Sequence, residues 1–242
     1  WGVVALFQDI SERWRFEQLQ KDFVANVSHE LKAPLSSIKG AGEILLDKVI
    51  VEPAKQDEYL KMIVEETDRL EDLVDDILIL SELDANTSNY SRAKISVNDL
   101  LKKVSRIFRK IMDQENYSLQ IILSEENIYI RESEEKLKQV LLNLLENAYK
   151  FSAGGSIELG VEYLKNELKF WVKDNGIGIP ENELENIWER FYKVDKAHTP
   201  GKSGSGLGLS IVKQTIEDSG GRVFVESEYG NGSTFGFYLP LI

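Results

Sequence analysis

Apolar side chains recur every three or four positions along two long stretches of the first 84 residues. In the second stretch, about 54–84, the steps alternate strictly between three and four, which is the spacing of a heptad seam. This periodicity predicts two amphipathic helices, the second beginning near Pro53. The seam positions of the two stretches are Phe16, Leu19, Phe23, Val27, Leu31, Ile38 and Leu45, then Leu60, Ile63, Thr67, Leu70, Val74, Ile77 and Ser81.

Two long helices joined by a short turn form an antiparallel hairpin, and one hairpin cannot cover two apolar stripes. We therefore expect the hairpin to dimerise into a four-helix bundle. The alternative is that it packs against a neighbouring domain. A short apolar run at 2–8 precedes the first helix and predicts a β-strand.

The pattern changes after a polar, turn-rich stretch at 84–94, where we place the domain linker. It then predicts a helix from about 95, two short strands, a helix starting at Ser133, a hairpin over 156–174, and a second hairpin over 220–241. Helices and hairpins in this order predict an α/β sandwich with helices on one face of a mixed sheet. The expected domains are 1–13, 14–84 and 95–242, with a linker at 85–94.

Composition narrows the function classes. The net charge of −12 argues against nucleic-acid or anionic-membrane binding as a bulk property. Cysteine is absent, which excludes disulfides and His/Cys metal clusters. No run of about 18 apolar residues exists. The chain starts at Trp1 rather than Met, with an apolar strand that lacks a partner, so we expect a fragment of a longer protein.

Three stretches of the second domain carry candidate chemistry. Asn143, Asn147 and Lys150 fall on one helix face and could offer an oxygen to Mg²⁺ and a cation to phosphate. Taken alone, the asparagines are more typical of a solvent-facing polar stripe. Asp174 follows a predicted strand in "DNGIGIP", where its carboxylate could accept a hydrogen bond from an exocyclic amine. The alternative for this stretch is an ordinary glycine turn.

The glycines of "GSGLGL" precede a predicted helix, whose backbone amides could bind phosphate oxygens. The stretch lacks the Lys-Ser/Thr of a P-loop, and no βαβ unit surrounds it. The polar stretch between the two glycine motifs is expected to form a mobile lid. Near the N-terminus, "VSHELKAPL" places His29 next to Glu30 and five positions before Pro34. Because proline lacks an N–H for the Glu30 carbonyl, this turn is predicted to be loosened or kinked.

Together, in this order, the motifs resemble those of sensor histidine kinases of two-component signalling. The matching segments are "FVANVSHELKAPL" (H box), "NLLENAYKF" (N box), "DNGIGIP" (G1 motif), "ERFYKV" (F box), "GSGLGL" (G2 motif) and "GNGSTFGFYLP". The resemblance extends from about Phe16 onward, and its ATP-binding domain also resembles those of the Hsp90, gyrase and MutL ATPases. Residues 2–8 followed by "DISE" resemble, more weakly, the end of a PAS sensor domain. The implied fold is α+β: a dimerising helical hairpin followed by an α/β sandwich ATP-binding domain.

The resemblance implies that His29 is phosphorylated from ATP, with Glu30 holding the ring N–H. It further implies Asn147 as the Mg²⁺ ligand, Asn143 beside the metal, and Asp174 on the adenine. The remaining nucleotide-site residues implied are Tyr149, Lys150, Gly176, Gly178, Lys193, Gly204, Gly206, Leu207 and Gly208.

The phosphoryl group would pass to an aspartate of a response-regulator receiver domain. The portion is expected to be cytoplasmic, with any membrane anchor outside this chain. Ala33 stands where the family commonly has Thr or Asn, so weak regulator phosphatase activity is predicted. The alternatives are a clamp ATPase, disfavoured because Asn143 replaces the water-activating Glu of those enzymes, and a non-catalytic dimeric scaffold.

Overall fold

A computed structural model describes most of the chain: residues 1, 10–85, 91–112, 117–152, 155–194 and 204–241. The strand predicted at 2–8 and residues 195–203 of the predicted lid lie outside these residues. In the described part of the chain, no helix is long and apolar enough to cross a membrane. The chain divides into two compact units, Trp1–Asp75 and Asp76–Ile242.

The two N-terminal helices are present where periodicity predicted them. Helix α1 is Ser11–Leu46 and helix α2 is Pro53–Asp84. The connection includes Lys48, with φ of 52°, and is fastened by a hydrogen bond of 2.8 Å from Gln56 Nε2 to the Ile50 carbonyl. Proline is favourable at the start of a helix because the N–H it lacks has no intrahelical partner there.

Among its described residues, the second unit contains three further α-helices, two short 3-10 helices at Glu181–Glu183 and Asn186–Trp188, and seven strands. The α-helices are α3 (Val97–Met112), α4 (Glu134–Phe151) and α5 (Gly208–Asp218). The strands are β1 (Ala93–Ser96), β2 (Tyr117–Ile122), β3 (Tyr129–Glu132), β4 (Gly155–Leu164), β5 (Glu167–Lys173), β6 (Arg222–Ser227) and β7 (Ser233–Pro240).

The main sheet has the strand order β2-β4-β5-β7-β6, and β1 pairs separately with β3. Strands β2 and β4 are parallel, and the other neighbours in the main sheet are antiparallel. The predicted mixed sheet and both predicted hairpins are therefore confirmed.

Helices α3, α4 and α5 pack on one face of this sheet. Burial alternates along β5, so Leu168, Phe170 and Val172 point into the core. The rings of Phe170 and Phe237 stack there with centroids 4.7 Å apart. This alternation fixes the strand register and thereby the positions of the loops at the strand ends.

Three element boundaries differ from the sequence-based expectation. Ser133 is the N-cap of α4 and not its first residue, and its hydroxyl accepts a hydrogen bond from the Lys136 N–H at 3.3 Å. Helix α5 begins at Gly208, so the third glycine of the G2 motif is the first helical residue. Strand β1 begins at Ala93, inside the expected linker.

Candidate functional site

The polar stripe of α4 is held against the start of α5. Asn143 is buried; its Oδ1 accepts from Gln139 Nε2 at 3.2 Å, and its Nδ2 donates to the Gly208 carbonyl at 3.4 Å. The Asn147 carboxamide, one turn further on, is half-buried, and no described residue forms a hydrogen bond with it. The apolar side of α4, which includes Leu141, Leu144, Leu145 and Ala148, is buried as predicted. The N box and the G2 motif are thus neighbours in the fold.

Lys150 and Tyr149 face different surroundings at the end of α4. The Lys150 ammonium lies 3.6 Å from the Glu146 carboxylate. The Tyr149 ring packs on two aromatic rings of the core, Tyr117 at 4.7 Å and Phe108 at 6.1 Å between centroids. Lys193, in the F box, is half-buried.

Asp174 lies directly after β5 and is almost fully buried. Its Oδ1 accepts the Gly176 N–H at 2.7 Å, and its own N–H donates to the Ser233 carbonyl at 2.9 Å. Burial raises the pKa of Asp174 above its ordinary value, and the backbone N–H groups of Gly176 and Ser233 oppose that rise. A buried carboxylate fixed at a strand end is a directional acceptor for a polar ligand group.

The G1 motif lies between the end of α4 and the β6–β7 turn and is hydrogen-bonded to both. The Ile177 N–H donates to the Phe151 carbonyl at 3.3 Å, and the Gly230 N–H donates to the Ile177 carbonyl at 2.7 Å. Gly178 has φ of 65°, and a Cβ there would stand 2.0 Å from the Glu228 carbonyl oxygen. Glycine is therefore required at this position by both backbone conformation and space.

A pair of serines supports this loop and was not predicted from the sequence. Ser227 Oγ accepts from the Ile179 N–H at 2.8 Å and lies 2.8 Å from Ser233 Oγ. Neither serine stands out in the sequence, because their pairing depends on the β6–β7 register.

The G2 motif is fastened to the F box. The Phe191 N–H donates to the Gly206 carbonyl at 2.8 Å. Gly206 has φ of 75°, and a Cβ there would lie 2.9 Å from the Phe191 backbone. Leu207 is buried and Gly204 is half-buried, and both residues precede α5. The structure therefore brings the N box, the F box and the G2 motif together, with Asp174 and the G1 motif at the end of α4.

The last turns of α2 belong to this second unit and carry contacts that the sequence did not indicate. Arg190 of the F box binds both carboxylate oxygens of Asp84, at 3.0 and 2.7 Å, and Gln214 Nε2 donates to the same carboxylate at 2.9 Å. The Arg190 hydrogen bond lowers the pKa of Asp84. Ser205 of the G2 motif donates to Asp76 at 2.7 Å.

His29 is exposed on α1, in the first unit. Helix α1 continues through Pro34 to Leu46, so the loosened or kinked turn predicted there does not end the helix. Two hydroxyls in the following turn donate to backbone carbonyls, Ser36 to Lys32 at 2.8 Å and Ser37 to Ala33 at 3.4 Å. The Glu30 carboxylate lies 3.8 Å from the Arg69 guanidinium on α2.

Two family models match the chain. Residues 19–86 match the His Kinase A (phospho-acceptor) domain. Residues 132–242 match the family described as histidine kinase-, DNA gyrase B-, and HSP90-like ATPase. The Sensor protein SrrB of Staphylococcus aureus (strain MRSA252) is 35% identical over 241 residues, which are 99% of this chain and 41% of SrrB. The chain thus spans less than half the length of the curated relatives it matches.

Solved structures agree with this assignment. The histidine kinase ThkA in complex with response regulator protein TrrA has a TM-score of 0.72 at 25% identity, over 97% of this chain and 68% of ThkA. Full-length ShkA in complex with AMPPNP has a TM-score of 0.68 at 30% identity, over 93% of this chain and 46% of ShkA. The chain belongs to the sensor histidine kinases, with the phosphoacceptor and ATPase-type domains of that family in the order predicted.

Proposed function

We propose that this chain transfers the γ-phosphoryl group of ATP to His29. The observation that carries the proposal is the meeting of the N box and the G2 motif at Asn143 and Gly208, on the same unit as the buried Asp174. This arrangement supplies a carboxylate for an adenine amine, carboxamides for a metal, and backbone amides of a helix start for phosphate oxygens. SrrB is named a sensor protein, and ShkA was solved with AMPPNP.

The residues present fit Mg²⁺ bound together with ATP. The Asn147 carboxamide has no hydrogen-bond partner among the described residues, so its oxygen is available as a hard ligand. The described residues contain no cluster of three His, Cys, Asp or Glu side chains that could hold a metal alone. This suits Mg²⁺, which is usually bound by one or two protein ligands plus substrate phosphates and water. When bound, the ion neutralises phosphate charge.

In the proposed step, a lone pair on a His29 ring nitrogen attacks the γ-phosphorus. The bond from phosphorus to the β,γ-bridging oxygen breaks, ADP leaves with that electron pair, and phosphohistidine forms. Glu30 accepts a hydrogen bond from the other ring N–H and supports the positive charge that develops on the ring. The remaining nucleotide contacts are assigned to the phosphate-side glycines and to Tyr149, Lys150 and Lys193.

The proposed acceptor of the phosphoryl group is an aspartate on a response-regulator receiver domain, and the proposed assembly is a homodimer. ThkA was solved in complex with a response regulator. Both N-terminal helices expose large apolar side chains, including Leu19, Val24, Leu60, Val64 and Val74. A second hairpin would cover these side chains, as four-helix bundles do. We place this portion in the cytoplasm.

Labelling with γ-³²P-ATP and Mg²⁺ tests the proposal. The expected product is an acid-labile, base-stable label on the wild-type chain that is lost in His29→Gln. A label that persists in His29→Gln contradicts the assignment of the acceptor. Phosphate release into water without any protein label would favour a clamp ATPase. Asn143 disfavours that function, because an amide cannot act as the general base that activates water.

Ala33 supports a second, narrower proposal, which concerns hydrolysis of the phosphorylated response regulator. Its methyl side chain is exposed on α1, four residues after His29, and has no group that can orient a water. We expect slow dephosphorylation of the response regulator by the wild type and faster dephosphorylation by Ala33→Thr, with unchanged autophosphorylation. Robust wild-type phosphatase activity that Ala33→Thr leaves unaltered would contradict this proposal.

A further inference from the structure

Arg69 on α2 lies between two carboxylates of the helical hairpin. Its Nη2 is 3.8 Å from Glu30 Oε2 on α1, and its Nη1 is 3.6 Å from Glu66 Oε2, three residues earlier on α2. The side chains of Arg69 and Glu30 are 35% and 24% exposed. Charges that are partly withdrawn from water interact more strongly than fully exposed ones.

Glu66 anchors the guanidinium on the α2 side. Its Oε2 is buried and accepts no hydrogen bond from the described residues, and Arg69 is the cation placed against it. A buried carboxylate oxygen is costly unless an opposite charge lies close by. Arg69 is therefore held to its own helix by Glu66, and its other terminal nitrogen faces Glu30.

We propose that Arg69 is a positioning residue for phosphoryl transfer to His29, acting through Glu30. This inference rests on the proposed function. A glutamate side chain has several rotamers, and confining it to one of them costs entropy. The anchored guanidinium attracts the Glu30 carboxylate and keeps it in one region beside α1. Part of the entropy of confining Glu30 is therefore lost before phosphoryl transfer begins.

The location of Arg69 predicts different effects of its loss on kcat and on the KM for ATP. His29, Glu30 and Arg69 lie in the first unit, whereas the proposed ATP contacts lie in the second. Loss of Arg69 should consequently slow the transfer step and leave the KM for ATP unchanged.

The test is a double-mutant cycle of Arg69→Gln and Glu30→Gln in the otherwise wild-type chain, which keeps the Glu66 carboxylate that holds Arg69 in place. The readouts are kcat and KM for phosphohistidine formation by the whole chain, with the thermal unfolding temperature of every variant. In the wild-type chain we expect Arg69→Gln to lower kcat about tenfold, a fraction of the 10²–10⁴ that a positioned acid–base group supplies. Arg69→Lys, which keeps the charge, should recover at least a third of the lost rate.

The second side of the cycle is decisive. In chains that already carry Glu30→Gln, Arg69→Gln should have no further effect on kcat, because the group through which it acts has been removed. Two rate losses that multiply, or a loss expressed in KM, would overturn the inference and indicate a merely structural role. If Arg69→Gln does not fold, the Arg69→Lys arm of the same cycle gives the decision. Absence of phosphohistidine in the parent chain would instead contradict the proposed function.

Discussion

Replacing Asp174 by asparagine should make the apo protein no less stable while removing much of its affinity for ATP. Burial raises the pKa of Asp174, so the folded state holds this proton more firmly than the unfolded state does. The free energy of unfolding then falls as pH rises from the ordinary value of 3.8 through the raised folded value. At pH 7 the ionised carboxylate therefore costs stability, and a neutral amide does not carry this cost.

The loss in ATP affinity follows from the same geometry. A hydrogen bond to a charged acceptor contributes about 1.5–3 kcal/mol, which corresponds to about 10–150-fold in Kd. In Asp174→Asn the amide oxygen keeps the bond of 2.7 Å from the Gly176 N–H, so the new NH₂ group would face the adenine amine. Because a donor then opposes a donor, we expect a loss near the upper end, about 100-fold.

Two measurements on the same samples test this prediction. Calorimetric titration with a non-hydrolysable ATP analogue and Mg²⁺ gives Kd, and thermal denaturation at pH 7 without nucleotide gives Tm. Glu181→Gln is the matched control, since it makes the same chemical change on an exposed carboxylate of the short 3-10 helix that follows the G1 motif, and it should alter neither value. A lower Tm in Asp174→Asn would refute the desolvation argument. An affinity within about threefold of wild type would refute the adenine assignment.

Three further predictions concern the second unit. Gly178→Ala should abolish ATP binding and lower Tm, because the new Cβ meets a backbone carbonyl at 2.0 Å; normal binding by this variant would contradict the loop geometry. Phe237→Ala removes the ring stacked on Phe170 and should lower the unfolding free energy by about 3–5 kcal/mol in urea titrations, and a loss below about 1 kcal/mol would contradict the packing described. Asp84→Asn should lower Tm slightly at pH 7, because the Arg190 contact lowers the pKa of Asp84. The contribution of this contact is lost as pH falls from the ordinary value of 3.8 through the lowered folded value, so the difference in Tm should shrink over that range; a difference that stays constant as pH falls would contradict this.

The regular elements could be predicted because their signals are local and repeated. Helices α1 and α2 have 36 and 32 residues, so the apolar period recurs many times in each. The hairpins were marked by alternating apolar runs with turn residues between them. The buried face of α4 was likewise predictable, because Leu141, Leu144, Leu145 and Ala148 share one side of a single helix.

Contacts between residues distant in sequence could not be predicted in this way. The pair formed by Asp84 and Arg190 joins residues 106 positions apart, and nothing in either local sequence indicates the other. The same holds for Arg69 and Glu30, whose approach depends on the relative register of two helices. Long-range polar pairs follow from packing, and packing is decided by the summed apolar burial of whole elements.

Pro34 shows how a long helix can accommodate a local cost. An interior proline removes one backbone hydrogen bond and crowds the preceding turn, at a cost of about 3 kcal/mol. This cost does not end α1, which has 36 residues and continues through Pro34 to Leu46, and the loosened or kinked turn stays a prediction. The proline is buried, and hydroxyls of Ser36 and Ser37 bind carbonyls of the same region. Because burial of the ring offsets part of a local loss, a proline beside a proposed phosphoacceptor is no sufficient sign of a broken helix.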